Sequence, residues 1–201
     1  MTVQFRSAAE VLAQLSQYHP NLARATWHVS SPSDDSYQCI AWAAGFTDRK
    51  AWPHEDSWWF PNCSRSDTMP EEVPLDFFIE GFVTLGYRPC DSKRFEFGYQ
   101  KVVIYANELG VTHMARQHFL GHGWLSKLGD YEDIVHPEPE DVAGDMSPLS
   151  YHYGEVVQIL KRSWWSAAKN LSLFRCFRRA FAHWLLRLLH PSWNRSRWNV
   201  V

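Results

Sequence analysis

Ser33-Asp34-Asp35-Ser36-Tyr37-Gln38-Cys39-Ile40-Ala41-Trp42-Ala43-Ala44-Gly45 changes character half-way along. A polar, acidic loop preceded by Pro32 gives way at Cys39 to a short apolar run of helix-competent residues. A glycine suited to a helix C-terminus closes it. Cys39 thus falls in the first turn of a predicted helix. Unpaired backbone N–H groups and the positive end of the helix dipole favour an anion there. A thiolate at such a position has a lowered pKa and is the nucleophilic form of cysteine. The plainer use of the same residue is as a small buried hydrophobe.

Upstream, Ser7 to Leu15 places Ala8, Val11, Leu12 and Leu15 at helical spacing, with Ser7 and Glu10 in capping-box positions. His19 to Tyr37 is turn-rich and polar, with a short apolar patch around Leu22 to Trp27. Downstream, Trp52 to Pro61 is too rich in prolines and rings for regular structure and reads as a loop laid on the body, one wall of a cleft. Pro74 opens a second helix, Leu75 to Leu85, with Phe78, Phe82 and Leu85 on one face and Gly86 as its stop. The period then changes to two. Gly98–Ala106, Val111–His118 and Gly123–Lys127 read as strands joined by glycine-containing turns of hairpin length. Pro137 to Pro148 is an acidic loop, and Tyr153 to Lys161 reads as either strand or helix.

The chain has 201 residues, enough for one good core with an appendage. Eleven tryptophans predict a core dense in rings. The net charge of −2 conceals an asymmetry: 13 basic against 22 acidic residues up to Arg162, then seven basic and none acidic from Ser163. In that tail Leu171, Phe174, Phe177, Phe181, Trp184 and Leu188 mark a helical stripe with most arginines off it. Such a helix packs on the body, lies on an anionic membrane or binds a partner protein. The acidic body argues against nucleic acid. None of Cys39, Cys63, Cys90 and Cys176 is paired as C-x-x-C. No apolar stretch has signal-peptide or membrane-span length, so a cytoplasmic location with reduced thiols is expected.

Alternation puts Val111, His113, Ala115 and Gln117 on one face of their strand, the face expected to meet a helix. If that is the Cys39 helix, thiol and imidazole meet, and the imidazole serves as general base. Ser126 on the next strand is the expected orienter of the ring, with Lys127, Asp130 and Asp133 nearby. Gln38 and Tyr37 are candidate oxyanion donors and Trp58 a cleft residue. His113, His118 and His122 alternate faces and match no metal-ligand spacing, His136 before Pro137 reads as structural, and no metal or cofactor is expected. Phosphate-loop, dinucleotide and G-x-S-x-G signatures are absent.

A cysteine on a helix followed by a histidine and a polar orienter on successive strands resembles the papain-like superfamily, including its NlpC/P60 and transglutaminase-like relatives. Cys39-Ile40-Ala41-Trp42-Ala43, Thr112-His113-Met114-Ala115-Arg116-Gln117, Trp124-Leu125-Ser126-Lys127-Leu128-Gly129 and Asp133-Ile134-Val135-His136 more closely resemble an uncharacterised bacterial domain family. The papain-like resemblance, which covers about Leu22 to Arg162, implies an α+β domain, a Cys-bearing helix on a small antiparallel sheet, expected over residues 1–162; the stripe and charge of 163–201 add a basic amphipathic helical extension. It implies a thiol-dependent hydrolase or acyl transferase (peptidase, amidase or transglutaminase-like) acting on a peptide, amide or thioester, with Cys39, His113 and Ser126 as its catalytic residues. Papain-like peptidases usually carry Asn or Asp as orienter and a glutamine several residues before the cysteine, neither of which stands here. The rival expectations are a non-catalytic binding or scaffold module, and a membrane- or partner-docking protein acting through 163–201.

Overall fold

The computed structural model describes residues 10, 11, 13, 15, 19–54, 57–65, 73–144 and 153–167. The three strands expected after Gly98 form, as β3 (Tyr99–Ala106), β4 (Val111–Gln117) and β5 (Trp124–Lys127). Four more join them: β1 (His28–Ser31), β2 (Arg88–Cys90), β6 (Asp133–His136) and β7 (Glu155–Ser163). All pair antiparallel in one seven-stranded sheet of order β1-β6-β5-β4-β3-β7-β2. Tyr153–Lys161, open between strand and helix in sequence, resolves as strand because it pairs with β3 along its whole length.

The two faces of β3 define two cores. Val102 and Ile104, with Met114 and Leu160, pack beneath helix α1 (Cys39–Ala44) and helix α2 (Leu75–Thr84). Val103 and Tyr105, with Ala115, Trp124 and Ile134, meet Val11, Leu15, Leu22 and Val142 on the other side. Within the predicted Ser7–Leu15 helix, Glu10, Val11, Ala13 and Leu15 are described and are helical. Helix α1 ends after six residues because Gly45 takes a left-handed φ of 98°, and its N–H closes the last turn on Ala41 and Trp42. Helix α2 buries Phe78 and Phe82 fully, worth roughly 1.5–3 kcal/mol per ring. The proline-broken loop lays its rings on that face: Trp52 and Trp59 meet Phe78 edge-on at 5.2 and 5.6 Å, and Phe60 meets Phe82 at 5.8 Å.

This architecture corrects the papain-like α+β expectation. The domain is built on a seven-stranded antiparallel sheet, and α2 alone among the described helices exceeds six residues. The Cys39 helix is a short cap on a broad sheet rather than the spine of a helical layer. Two strands escaped the sequence because they are short and lie at the sheet edges: β1 and β2 are at best half-buried and carry no apolar alternation. Strand β6 escaped because all four of its residues are buried, so Asp133 and His136 mask the pattern. The basic amphipathic helix expected in the tail lies, beyond Ala167, outside the described residues. Among the described residues no helix is long and apolar enough to cross a membrane.

Gly81 is where α2 touches the aromatic loop most closely. A Cβ there would stand 2.5 Å from Phe60 and 2.7 Å from Trp59, both wedged rings. Alanine would add about 1 kcal/mol of helix propensity, but overpacking costs typically 1–3 kcal/mol. Gly81→Ala is therefore expected to lower unfolding stability by about 1–2 kcal/mol in urea titration, although alanine is the better helix former.

Candidate active site

Antiparallel register brings Ser126 of β5 opposite Ala115 of β4 and opposite Ile134 of β6. His113 and His136 lie two residues along their strands on the same face, so both rings lean diagonally onto the serine. His113 Nε2 is 3.1 Å from Ser126 Oγ, and Ser126 Oγ is 2.8 Å from His136 Nε2. All three side chains are fully buried. Ser126 is thus in hydrogen-bond contact with His113, although the register sets it two residues from direct opposition.

The protons in this chain follow from its far end. His136 Nδ1 is 2.7 Å from the Glu138 carbonyl, which can only accept. Burial pushes His136 down to about 4, so the neutral ring donates from Nδ1 and accepts at Nε2. Ser126 must then donate to His136 and accept from His113 Nε2–H. That leaves His113, also neutral because burial holds its pKa well below the usual value, with its lone pair on Nδ1. Among the described residues this buried nitrogen has no hydrogen-bond partner. Its tautomer is fixed and its lone pair is free to take up a proton, but burial makes it a weak base.

Around it stand three more rings. Tyr153 stacks on His113 at 3.9 Å and 6°, and lies 4.7 Å from His19. His19 sits close to the Val142 carbonyl (Nδ1, 3.2 Å) and is also held to about 4 by burial. Tyr105 tilts onto His113 at 5.3 Å and donates to the Pro139 carbonyl at 2.7 Å.

Cys39 occupies the first position of α1, packed with Met114 in the helix-side core, while His113 turns to the other side of β4. The face assumed for His113 is therefore not the one that α1 covers. No hydrogen bond joins thiol to imidazole: His113 Nε2 is taken by Ser126 and its Nδ1 is unpartnered. Burial pushes the thiol up to about 11, opposed by the backbone N–H groups of Met114, Ile40 and Cys39. The lowered thiolate pKa expected from the helix start is overridden by desolvation.

The remaining candidates are placed as follows. Tyr37 donates its hydroxyl to Asp133 Oδ2 at 2.8 Å, beside Ser31 Oγ at 2.6 Å on the same oxygen. Lys127, fully buried, stands 5.1 Å over the Tyr37 ring, 4.0 Å from Asp133 Oδ1, and donates to the Tyr131 carbonyl. Gln38 precedes α1 in extended conformation, its side chain making no cap bond. Trp58 packs on Phe46 and Phe60, both at 5.2 Å, under the Arg49 guanidinium. It does not line the open cleft of about 590 Å³ bounded by Ser31–Asp35, Tyr37 and Asp130. Among the described residues no group of three or more His, Cys, Asp and Glu side chains is set to hold a metal.

His136 and Tyr153 are the members that sequence reasoning missed. Placing Asp133–His136 on a strand beside β5 would have brought His136 onto the serine; nothing local marks Tyr153.

These features define an antiparallel-sheet domain with a buried, hydrogen-bonded His–Ser–His chain on the sheet face opposite a cysteine-bearing helix. A family model described as a domain of unknown function, DUF7689, matches residues 28–161, and the chain belongs to that family. The match runs from β1 into β7 and so contains His113, Ser126, His136 and Glu138 as well as Cys39. No curated protein and no solved structure matches the chain.

Acid should unfold this relay. In the unfolded chain His19 and His136 take up protons near 6.5, whereas folded they resist until about 4. The unfolded state thus binds more protons across that window, so stability is complete above 6.5 and falls as pH drops towards 4. The expected loss is on the order of 1–3 kcal/mol per histidine, read from urea midpoints at successive pH values. Ser126→Ala strands one donor and one acceptor in the core. It should cost about 2–4 kcal/mol near neutral pH by the same measurement.

Proposed function

We propose that the domain is a thiol-dependent hydrolase or acyl transferase acting on an amide or thioester, with Cys39 as nucleophile and His113 as base. The observation that supports it is the unpartnered Nδ1 lone pair of His113, its tautomer held by Ser126 and His136. Cys39 packs against Met114, the next residue along β4. A thiol at about 11 is protonated at neutral pH, so its proton must leave as attack proceeds rather than beforehand. Because Cys39 and His113 face opposite sides of β4, substrate binding must bring them together, so that Cys39 Sγ bonds to the carbonyl carbon while its proton passes to His113 Nδ1. The imidazolium then protonates the leaving nitrogen or sulfur, and an acyl thioester remains on Cys39. Water or an amine, deprotonated by the same nitrogen, releases the acyl group. Ser126 and His136 position the ring throughout and touch no substrate.

A second reading, a non-catalytic binding module, draws on the burial that pushes the thiol so high. The two separate by intact-mass spectrometry after exposure to a small acyl thioester. Acylation mapped to Cys39, lost in Cys39→Ala and slowed about 100-fold in His113→Gln with unchanged circular dichroism, is the expected result. Labelling absent from the folded protein, or indifferent to His113→Gln, would overturn the enzyme in favour of the binding module.

A further inference from the structure

One end of the sheet exposes large aromatic side chains. Strand β3 begins, β4 ends, β5 begins and β7 ends at the same end, by their antiparallel pairing. There the β2–β3 loop presents Phe97, 82 % exposed, and Phe95, which packs against the Gly121 turn. Phe97 meets Trp164 edge-on at 5.2 Å, and the next residue, Trp165, is also 82 % exposed. Leu120, on the β4–β5 turn, is 40 % exposed. Single exposed rings are ordinary, but four apolar side chains gathered at one end, two of them almost bare, call for a partner. Glu96, the carboxylate between the two phenylalanines, is already ion-paired with Lys161 at 2.8 Å and Lys101 at 3.7 Å.

Trp165 also stands where the strongly basic tail leaves the sheet. Residues 163–201 carry seven basic and no acidic side chains, together with eight Trp and Phe residues. Exposed rings followed in the chain by a segment whose charged residues are all basic match the two halves of an anionic lipid surface: rings enter the headgroup boundary while Lys and Arg meet the phosphates. Nucleic acid would use the charge but leave the bare rings of the body unexplained. The cleft at Ser31–Asp35 and Asp130 lies at the other end, beside the β5–β6 turn, and stays open when the apolar end is occupied.

We propose that the end of the sheet carrying Phe97 and Trp165 docks, together with the basic tail, onto an anionic phospholipid bilayer. This rests on no part of the Cys39 chemistry. The test is co-sedimentation of the full chain with vesicles of phosphatidylcholine alone or with roughly one third phosphatidylserine, at about 0.1 M salt. Binding to the anionic vesicles is expected to be at least about tenfold tighter than to the neutral ones. The double variant Phe97→Ser/Trp165→Ser, altered only at exposed rings, should bind about fivefold or more weakly. Gln at Arg175, Arg178, Arg179 and Arg187 together should remove most of the binding. Absence of binding to anionic vesicles overturns the proposal. So does binding that the double variant leaves unchanged, since the tail would then be attracting any polyanion without the apolar end.

Discussion

Strand β3 is buried on both faces, and the rest of the domain answers to that. Val102, Val103, Ile104 and Tyr105 are successive residues with no exposure, so successive side chains need cover on opposite sides. Helices α1 and α2 with the aromatic loop supply one cover; the N-terminal residues, the 3-10 turn Pro139–Asp141 and Tyr153 supply the other. A two-sided strand cannot be an edge, which is why β4 and β7 flank it along most of its length. Strand β4 is thereby carried inward as well, and whatever polar side chains it bears are taken out of water.

His113 is the consequence. A neutral imidazole can be buried only if its N–H finds an acceptor, and the sheet supplies Ser126 from the neighbouring strand. The serine's own proton then needs an acceptor, supplied by His136 one strand further, and the chain ends on the Glu138 carbonyl. Each step is required by the one before. No step requires a partner for Nδ1, and among the described residues it has none, as is true of Gln117 Oε1 and the Tyr87 hydroxyl elsewhere in the core.

The helices and the central strands were legible because each carries a one-residue-scale signal. Phe78 and Phe82 repeat at helical spacing, Gly86 follows as a stop, and glycine turns bracket β3, β4 and β5. The pairing of His113 with Ser126 was legible for the same reason, since the hairpin length limits the register. The sheet's width was not. Strands β1 and β6 lie about a hundred residues apart in sequence and pair through backbone groups that carry no side-chain signature, as in His28 with Val135. Nor was the state of the thiol: a helix start lowers a cysteine pKa only while water or a cation faces it, and the burial that reverses the sign at Cys39 comes from residues as distant as Met114.

The same sheet geometry separates two kinds of surface. At the end of β1 and the β5–β6 turn, polar groups are gathered inward: Ser31 and Tyr37 both donate to one oxygen of Asp133, and Lys127 fills the space beneath. Burial holds Lys127 below its usual range and Asp133 above its own, so the pair is poorly solvated and is fixed by its neighbours rather than by the 4.0 Å attraction between its charges. At the opposite end the rings of Phe97 and Trp165 are each 82 % exposed. A chain that spends serine, tyrosine and lysine contacts on satisfying one buried carboxylate has not run short of ways to cover apolar surface. Two aromatic side chains so exposed, in a chain that runs on from Trp165 into a segment with basic and no acidic residues, are better understood as covered by something other than this sheet.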